Sequence, residues 1–348
     1  MALFKKKSKT NLGIDIGASA IKLVELESVK ERYVLKTYGV FPFSEYGASQ
    51  GEDFYATLPK LLDEHIVEML KRLMQLAAIE ATAARISIPV YSSFSTLIDL
   101  PRMPEKEIAS AIPYEAKKYI PVPLTDVVLD WSIIEKPALD SPDKNIQILL
   151  VAVLKEVIEK YSRIVQSAGL EIQFIEAETF SLARSLVGND KSAIVMADIG
   201  ARSTTISIVD KGFIRISHNL EIGGVELTKR ISEKMKLTPE KAEVLKKSRE
   251  TWPELEEVFF SVLDRTIKEI NKITNLYQAK YNRQVEKYIV CGGGANLFGL
   301  IDFFASQLAA EVTLGNPFAR IVYPPMIQPI IKDIALPLAV AAGLAMRE

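Results

Sequence analysis

A chain of 348 residues, 48% hydrophobic and 25% charged, is long enough to bury a substantial core, and two domains are expected. Its 43 Lys and Arg against 44 Asp and Glu leave a formal charge of −1, which gives no bulk electrostatic reason to expect nucleic acid as a partner. The single cysteine, Cys291, excludes an intrachain disulfide, and with only His65 and His218 there is no Cys/His cluster for structural zinc. A reducing cytoplasm fits that composition.

The chain opens MALFKKKSKT, whose lysines are not followed by the apolar run of about seven residues or more that a secretory signal needs. No stretch reaches the roughly 18 consecutive apolar residues of a membrane-spanning helix. Even Ile146 to Leu154 is broken by Gln147 and followed by Lys155. Lys5, Lys6, Lys7 and Lys9 read as a solvated basic tail rather than a membrane contact, so membrane association has to come through a partner.

From Asn11 to Leu26, apolar residues on either side of Gly17-Ala18-Ser19 predict strand, turn and strand. A Walker A loop or a Rossmann loop would need its own glycine pattern followed by a helix, and neither occurs. Instead a strand ends in Asp15, a glycine permits a sharp turn, and Lys22 lies on the returning strand, so backbone amides and one ammonium can face an anion. The same device recurs 183 residues later from Ala197 to Ile208, with Asp-Ile-Gly-Ala at both places. Two such hairpins, one per half, can oppose each other across a cleft and hold phosphates between them, each Asp near a metal ion. A third element follows: the apolar strand Lys287 to Cys291, then Gly292-Gly293-Gly294, then a predicted helix from Ala295 to Ala310. Backbone without side chains at a helix entrance allows close approach of a base or ribose.

In this order, two Asp-x-Gly hairpins and a late GGGA turn resemble the nucleotide site shared by actin, the seventy-kilodalton heat-shock chaperones and sugar kinases. The resemblance implies an α/β, actin-like (ribonuclease H-like) two-lobed fold with ATP and Mg²⁺ in the central cleft. It implies phosphate loops at Asp15 to Lys22, with Gly17, Ala18 and Ser19, and at Asp198 to Thr205, with Gly200, Ala201 and Ser203. The adenosine loop is then Gly292, Gly293, Gly294 and Ala295, and the metal's carboxylates are Asp15, Asp198 and Glu176, the last preferred over Glu178 ahead of a helix from Thr179 to Leu186. Gly223-Gly224 resembles the ribose glycines, and Glu243 with Lys246, at i,i+3 spacing, the adenosine contacts. The last helix, Ala335 to Met346, carries Ala339, Ala341, Ala342 and Gly343, small enough to pack closely against Ala183 and its neighbours at the hinge.

Between Tyr91 and Asn145 lies an insertion that resembles the subdomain shared by the FtsA and PilM families and absent from actin. Its elements read as a strand at Ser95 to Leu100, a helix at Glu105 to Tyr119 ended by Pro121-Val122-Pro123, and a strand at Asp126 to Glu135. After the polar loop Lys136 to Lys144, the strand Ile146 to Val153 is expected to return to the first lobe. The expected units are 11–90 plus 146–190 for the first lobe, 91–145 for the insertion, 191–228 plus 286–334 for the second lobe, 229–285 for a helical subdomain, and 335–348 for a helix crossing back.

GIDIGASAIKLVEL, LPRMPEKEIASAIPYEAKKYIPVP, DIGARSTTI, EIGGVELTKRI and GGGANLFGL look like the PilM family of type IV pilus assembly proteins. FtsA relatives would continue into a membrane-targeting amphipathic helix and GspL relatives into a membrane helix, whereas this sequence ends at Arg347-Glu348 directly after the last core helix. The PilM resemblance implies an ATP-binding adaptor of the pilus inner-membrane platform, peripheral to the membrane through its partner, that docks the cytoplasmic N-terminal peptide of PilN. Ile98, Leu100, Ile112, Tyr114 and Tyr119 are candidates for the peptide groove, although most must also form the insertion's own core. In the second hairpin Ala201, Arg202 and Thr205 replace the further glycine and later Asp of chaperone and kinase relatives, which predicts slow hydrolysis at most. An FtsA-like polymerising protein and a small-molecule phosphotransferase are the alternatives.

Overall fold

The computed structural model describes residues 10–30, 32–44, 61–135, 145–249 and 252–348. The basic N-terminus with Lys5, Lys6, Lys7 and Lys9, and the loop Lys136 to Lys144, lie outside the described residues. No helix among the described residues is long and apolar enough to cross a membrane.

The first lobe begins as an antiparallel meander of β1 (Thr10–Ile16), β2 (Ala20–Val29) and β3 (Arg32–Pro42). Strands β4 (Ala83–Ile88) and, later, β8 (Glu171–Ala177) extend it in parallel beyond β1. The second lobe repeats the plan with the meander β9 (Ile194–Ile199), β10 (Thr204–Asp210) and β11 (Phe213–Leu220), followed by the parallel strands β12 (Lys287–Cys291) and β13 (Val312–Leu314). One topology therefore appears twice, and β1 and β9 take equivalent central places in their sheets.

Central strands read as nearly continuous apolar runs because helices cover both faces. Leu12, Ile14, Ile16, Ile21 and Leu23 pack under α1 (Asp63–Leu76) and α3 (Lys155–Ser167). In α1 the buried Ile66, Met69, Leu70 and Leu73 fall at helical spacing on one stripe, and Asp63 and Glu64 sit in its first turn, where the helix dipole favours negative charge. The opposite face, with Val24, Leu26 and Leu35, packs against Phe318, Ile321, Ile331 and the small residues near the C-terminus. Strand β14 (Ile321–Val322) pairs with β3, so the return to the first lobe begins near Phe318 rather than at 335.

A second boundary also differs from expectation. Strand β7 (Asn145–Leu154) does not join the first-lobe sheet; it forms the middle of a three-stranded antiparallel sheet between β5 (Ser93–Pro101) and β6 (Val127–Glu135). With α2 (Glu105–Ala116), this sheet encloses a core of its own around Ile98, Leu100, Ile108, Ile112, Ile148 and Leu150. An apolar run marks β7 as a strand, but the sheet it joins depends on long-range pairing that the run does not encode.

The insertion rests on the second lobe. Leu97, Ile134 and Leu149 meet Phe180 and Tyr281, and the buried Arg215 of β11 donates to Gln147 of β7 and lies 3.5 Å from Glu135 of β6. Asp210 holds Arg215 at 3.6 Å and Arg283 at 2.8 Å, so the contact is anchored within the second lobe by a shared carboxylate.

Between the two large sheets lie α4 (Glu178–Leu186) and α10 (Ala339–Ala345), the latter entirely buried. A Cβ on Gly343 would sit 1.9 Å from the Ser181 carbonyl oxygen, and one on Gly13 of β1 would sit 2.1 Å from that of Ala341. Helix, helix and strand thus touch backbone to backbone, with Arg184 donating to the Gly343 carbonyl at 2.8 Å. Gly343→Ala is expected to cost about 2–3 kcal/mol because the obstacle is backbone rather than a flexible side chain. Urea unfolding of the variant beside the parent measures this directly.

Candidate functional site

The two Asp-Ile-Gly-Ala segments close the same turn in each lobe. The Gly17 amide donates to the Ala20 carbonyl at 3.1 Å, and the Gly200 amide donates to the Ser203 carbonyl at 2.9 Å. At matching register positions Asp15 pairs across the ladder with Lys22, and Asp198 with Thr205. Both hairpins open into one cleft, lined by Asp15, Gly17, Ala18, Ser19 and Lys22 from the first and Asp198, Gly200, Ala201 and Ser203 from the second. Leu336 and Val340 form part of its floor, which places α10 directly beneath it.

Gly292 and Gly293 complete the cleft wall. Gly292 sits at φ +82°, where a side chain is strained, and a Cβ there would press on the Asp198 carboxylate at 2.2 Å. A Cβ on Gly294 would strike Ile199, and Ala295 is buried behind it. Only Gly293 presents a face with nothing within 4 Å of an added Cβ, so its backbone is the part of the loop open to a ligand. Instead of a continuous helix from Ala295, the chain makes a 3₁₀ turn at Gly293–Asn296, and α8 (Leu300–Leu308) starts after Gly299, itself at φ +72°.

Gly223 and Gly224 lie against the second hairpin, the Gly224 amide donating to the Gly200 carbonyl at 3.0 Å. They open α5 (Gly224–Met235), which packs on α6 (Pro239–Lys247). Lys246 donates to Glu243 at 2.5 Å, Thr228 at 2.9 Å and the Gly224 carbonyl at 3.0 Å. Glu243 and Lys246 are therefore a brace between two helices rather than an exposed pair, and neither lines the cleft.

One metal-site assignment changes. Glu176, expected near the metal, faces away from the cleft, where Arg184 holds both its oxygens at 2.6 and 3.0 Å and Arg347 closes on it. Glu178 faces the cleft instead and accepts the Val90 amide at 3.2 Å. The two glutamates straddle the point where β8 becomes α4, so the chain turns between them. Sequence reading also missed Ser87, a buried polar residue in β4, which donates to Asp15 at 3.0 Å. A serine in the strand beside the one that carries Asp15 was the available signal.

Three carboxylates converge on one ammonium. Burial is the largest influence on Lys22 and disfavours its charge, but Asp15, 2.8 Å away, together with Asp198 and Glu178, outweighs it and raises the pKa. Burial pushes Glu178 up to about 8, helped by Asp198 and Asp15, and pushes Asp198 up to about 6. Among the described residues no group of three His, Cys, Asp or Glu can enclose a bare metal ion. The donor set suits Mg²⁺ held by one or two carboxylates together with phosphates and water.

The peptide candidates divide by burial. Ile98, Leu100 and Ile112 are 1%, 5% and 2% exposed inside the insertion's core, so they cannot line a groove. Tyr114 and Tyr119 are 75% and 40% exposed on and just beyond α2.

The family model described as "Type IV pilus assembly protein PilM" matches residues 13–348. The chain belongs to the PilM family. Its fold matches a solved PilM–PilN type IV pilus biogenesis complex at TM-score 0.81, with 24% identity over 97% of this chain and 98% of that one. An MreB of Spiroplasma citri bound to AMPPNP matches at TM-score 0.53, with 13% identity over 97% and 95% of the two chains, which gives an actin-like fold. Two curated relatives match in part: FtsA of Bacillus subtilis (strain 168), 26% identical over 146 residues, and EutJ of Escherichia coli (strain K12), 28% identical over 151. These segments cover 38% and 42% of this chain and only 33% and 49% of the relatives' own length.

The carboxylate excess gives this PilM-family cleft a pH signature. An acid whose folded pKa lies above its unfolded value binds extra protons when folded, so its contribution to stability is full at low pH and declines between the two values. For Glu178 the window runs from 4.5 to about 8. Because the carboxyl still meets cleft water, only part of that shift converts to stability. Glu178→Gln is expected to stabilise the ligand-free protein by about 1–2 kcal/mol at pH 8 and to change it little at pH 5, as urea unfolding at the two pH values would show.

Proposed function

We propose that the chain binds Mg·ATP between its two hairpins and acts as a cytoplasmic adaptor of the type IV pilus inner-membrane platform, docking the N-terminal tail of PilN. The observation that carries the nucleotide site is the convergence of Asp15, Asp198 and Lys22 with the open backbone of Gly293 on one cleft. Family membership supports the pilus role, and the solved relative whose fold this chain shares is itself a complex with PilN.

Within this reading the backbone amides of Gly17 to Ser19 and Gly200 to Ser203 face the phosphates, and Gly293 lies against the adenosine. Asp15 and Asp198 hold the metal ion or its waters, Ser87 orients Asp15, and Lys22 balances their charge. The ion's part is to neutralise phosphate charge. Hydrolysis is slow, since Thr205, donating to Asn219 at 3.3 Å, supplies no base for an attacking water. The peptide lies against the insertion where Tyr114 and Tyr119 are accessible, and membrane association follows from the partner.

Calorimetric titration with Mg·ATP, then with a synthetic PilN N-terminal peptide, tests both parts. Asp15→Ala and Asp198→Ala should each weaken Mg·ATP roughly tenfold or more, about 1.4 kcal/mol, while the chain stays folded. Gly293→Val should block nucleotide and leave melting nearly unchanged, because the added carbons enter space that is open without ligand. Tyr114→Ala with Tyr119→Ala should weaken the peptide and spare the nucleotide. Nucleotide binding without peptide binding would leave the fold reading intact and remove the adaptor role. ATP-dependent filaments in light scattering, or phosphate transfer to a small acceptor, would replace that role with one of the two alternatives.

A further inference from the structure

Where the cleft opens outward it meets a larger cavity of about 530 Å³ between the lobes, and Gly17, Ala18, Tyr91, Arg202 and Ser203 line both spaces. Those residues form a mouth between the tips of the two hairpins. A nucleotide with its adenosine at Gly293 and its phosphates passing between Asp198 and Asp15 puts its outermost phosphate there.

Charge at the mouth is unbalanced. Two cations line the phosphate cleft among the described residues, Lys22 and Arg202. Lys22 is committed to Asp15 at 2.8 Å and faces Asp198 and Glu178 as well. Lys160, in the wider cavity, is held by Asp63 at 3.2 Å. Arg202 is exposed at the turn of the second hairpin, with no hydrogen bond, ion pair or ring contact among the described residues. A guanidinium presents a planar fork of donors that matches two oxygens of one phosphate, and it is never neutral at physiological pH.

We propose that Arg202 recognises the terminal phosphate and so sets the preference for nucleoside triphosphate over diphosphate. This rests on the nucleotide-site reading above. A diphosphate stops short of the mouth and leaves Arg202 in solvent; a triphosphate gives it the partner that the described residues do not supply. Because no contact among the described residues depends on the side chain, its loss removes recognition without disturbing the hairpin, whose closure depends on a backbone bond between Gly200 and Ser203.

The test is calorimetry at fixed Mg²⁺ with ATP, AMPPNP and ADP, on the parent, Arg202→Ala and Arg202→Lys, with melting curves confirming that all three fold. The parent should bind the triphosphates roughly tenfold or more tighter than ADP. Arg202→Ala should erase that gap, losing about tenfold for ATP and AMPPNP but less than about twofold for ADP. Arg202→Lys should recover only part of it, since an ammonium keeps the charge and loses the fork. Agreement of AMPPNP with ATP separates recognition from turnover. Equal losses for ADP and ATP, or no loss for either, would overturn the role of Arg202 while leaving the site in place. A parent protein that binds none of the three nucleotides would overturn the site reading and this proposal with it.

Discussion

Everything in the cleft is positioned by a contact that only glycine allows. Helix α10 lies against α4 through Gly343 and against β1 through Gly13, close enough that a single methyl on either would overlap a carbonyl oxygen. Strand β1 carries Asp15 at its end, α4 carries Glu178 at its start, and the chain entering α10 floors the cleft with Leu336 and Val340. Widening this seam would separate the carboxylates from one another. The run of Ala339, Ala341, Ala342, Gly343 and Ala345, all buried, keeps the two sheets within reach of one ligand.

On that scaffold the cleft is electrostatically unfinished. Asp15, Asp198 and Glu178 surround one ammonium, and two of the three carboxyls are driven toward their protonated forms by burial and by one another. A divalent cation would relieve this repulsion, and a polyphosphate alone would worsen it. Under the proposed nucleotide site, that balance of charge would favour metal and nucleotide entering together. Lys22 lets the cleft persist without either, because its ion pair with Asp15 removes one negative charge from the balance.

What could be read from the sequence follows from how local each signal is. The paired hairpins were visible because a strand end, a turn and a returning strand fit within eight residues, and their tetrapeptide repeats at domain spacing. Gly293 was visible as one of three glycines, but only the fold shows that Gly292 and Gly294 serve close packing while Gly293 faces open space. Glu176 and Glu178 could not be told apart, since Arg184 lies a helix length away and Arg347 at the far end of the chain. Ile98, Leu100 and Ile112 were equally ambiguous: apolar residues line grooves and fill cores alike, and a small insertion needs nearly all of them inside. The sheet joined by β7 is a matter of long-range pairing, which its own composition does not specify.

The insertion's attachment has a mechanical consequence. Its sheet leaves and re-enters the first lobe at neighbouring points, Ser93 opposite Val153, so it hangs from a single two-stranded stem. By covalent connection it belongs to the first lobe; by burial and by the Arg215 contacts with Glu135 and Gln147 it belongs to the second. A body joined to one lobe and leaning on the other works as a strut. Any rotation of the lobes about the α4–α10 seam would either carry the strut along or shear its charged foot off the second lobe, so a load applied to the insertion would be felt at the seam beneath the cleft.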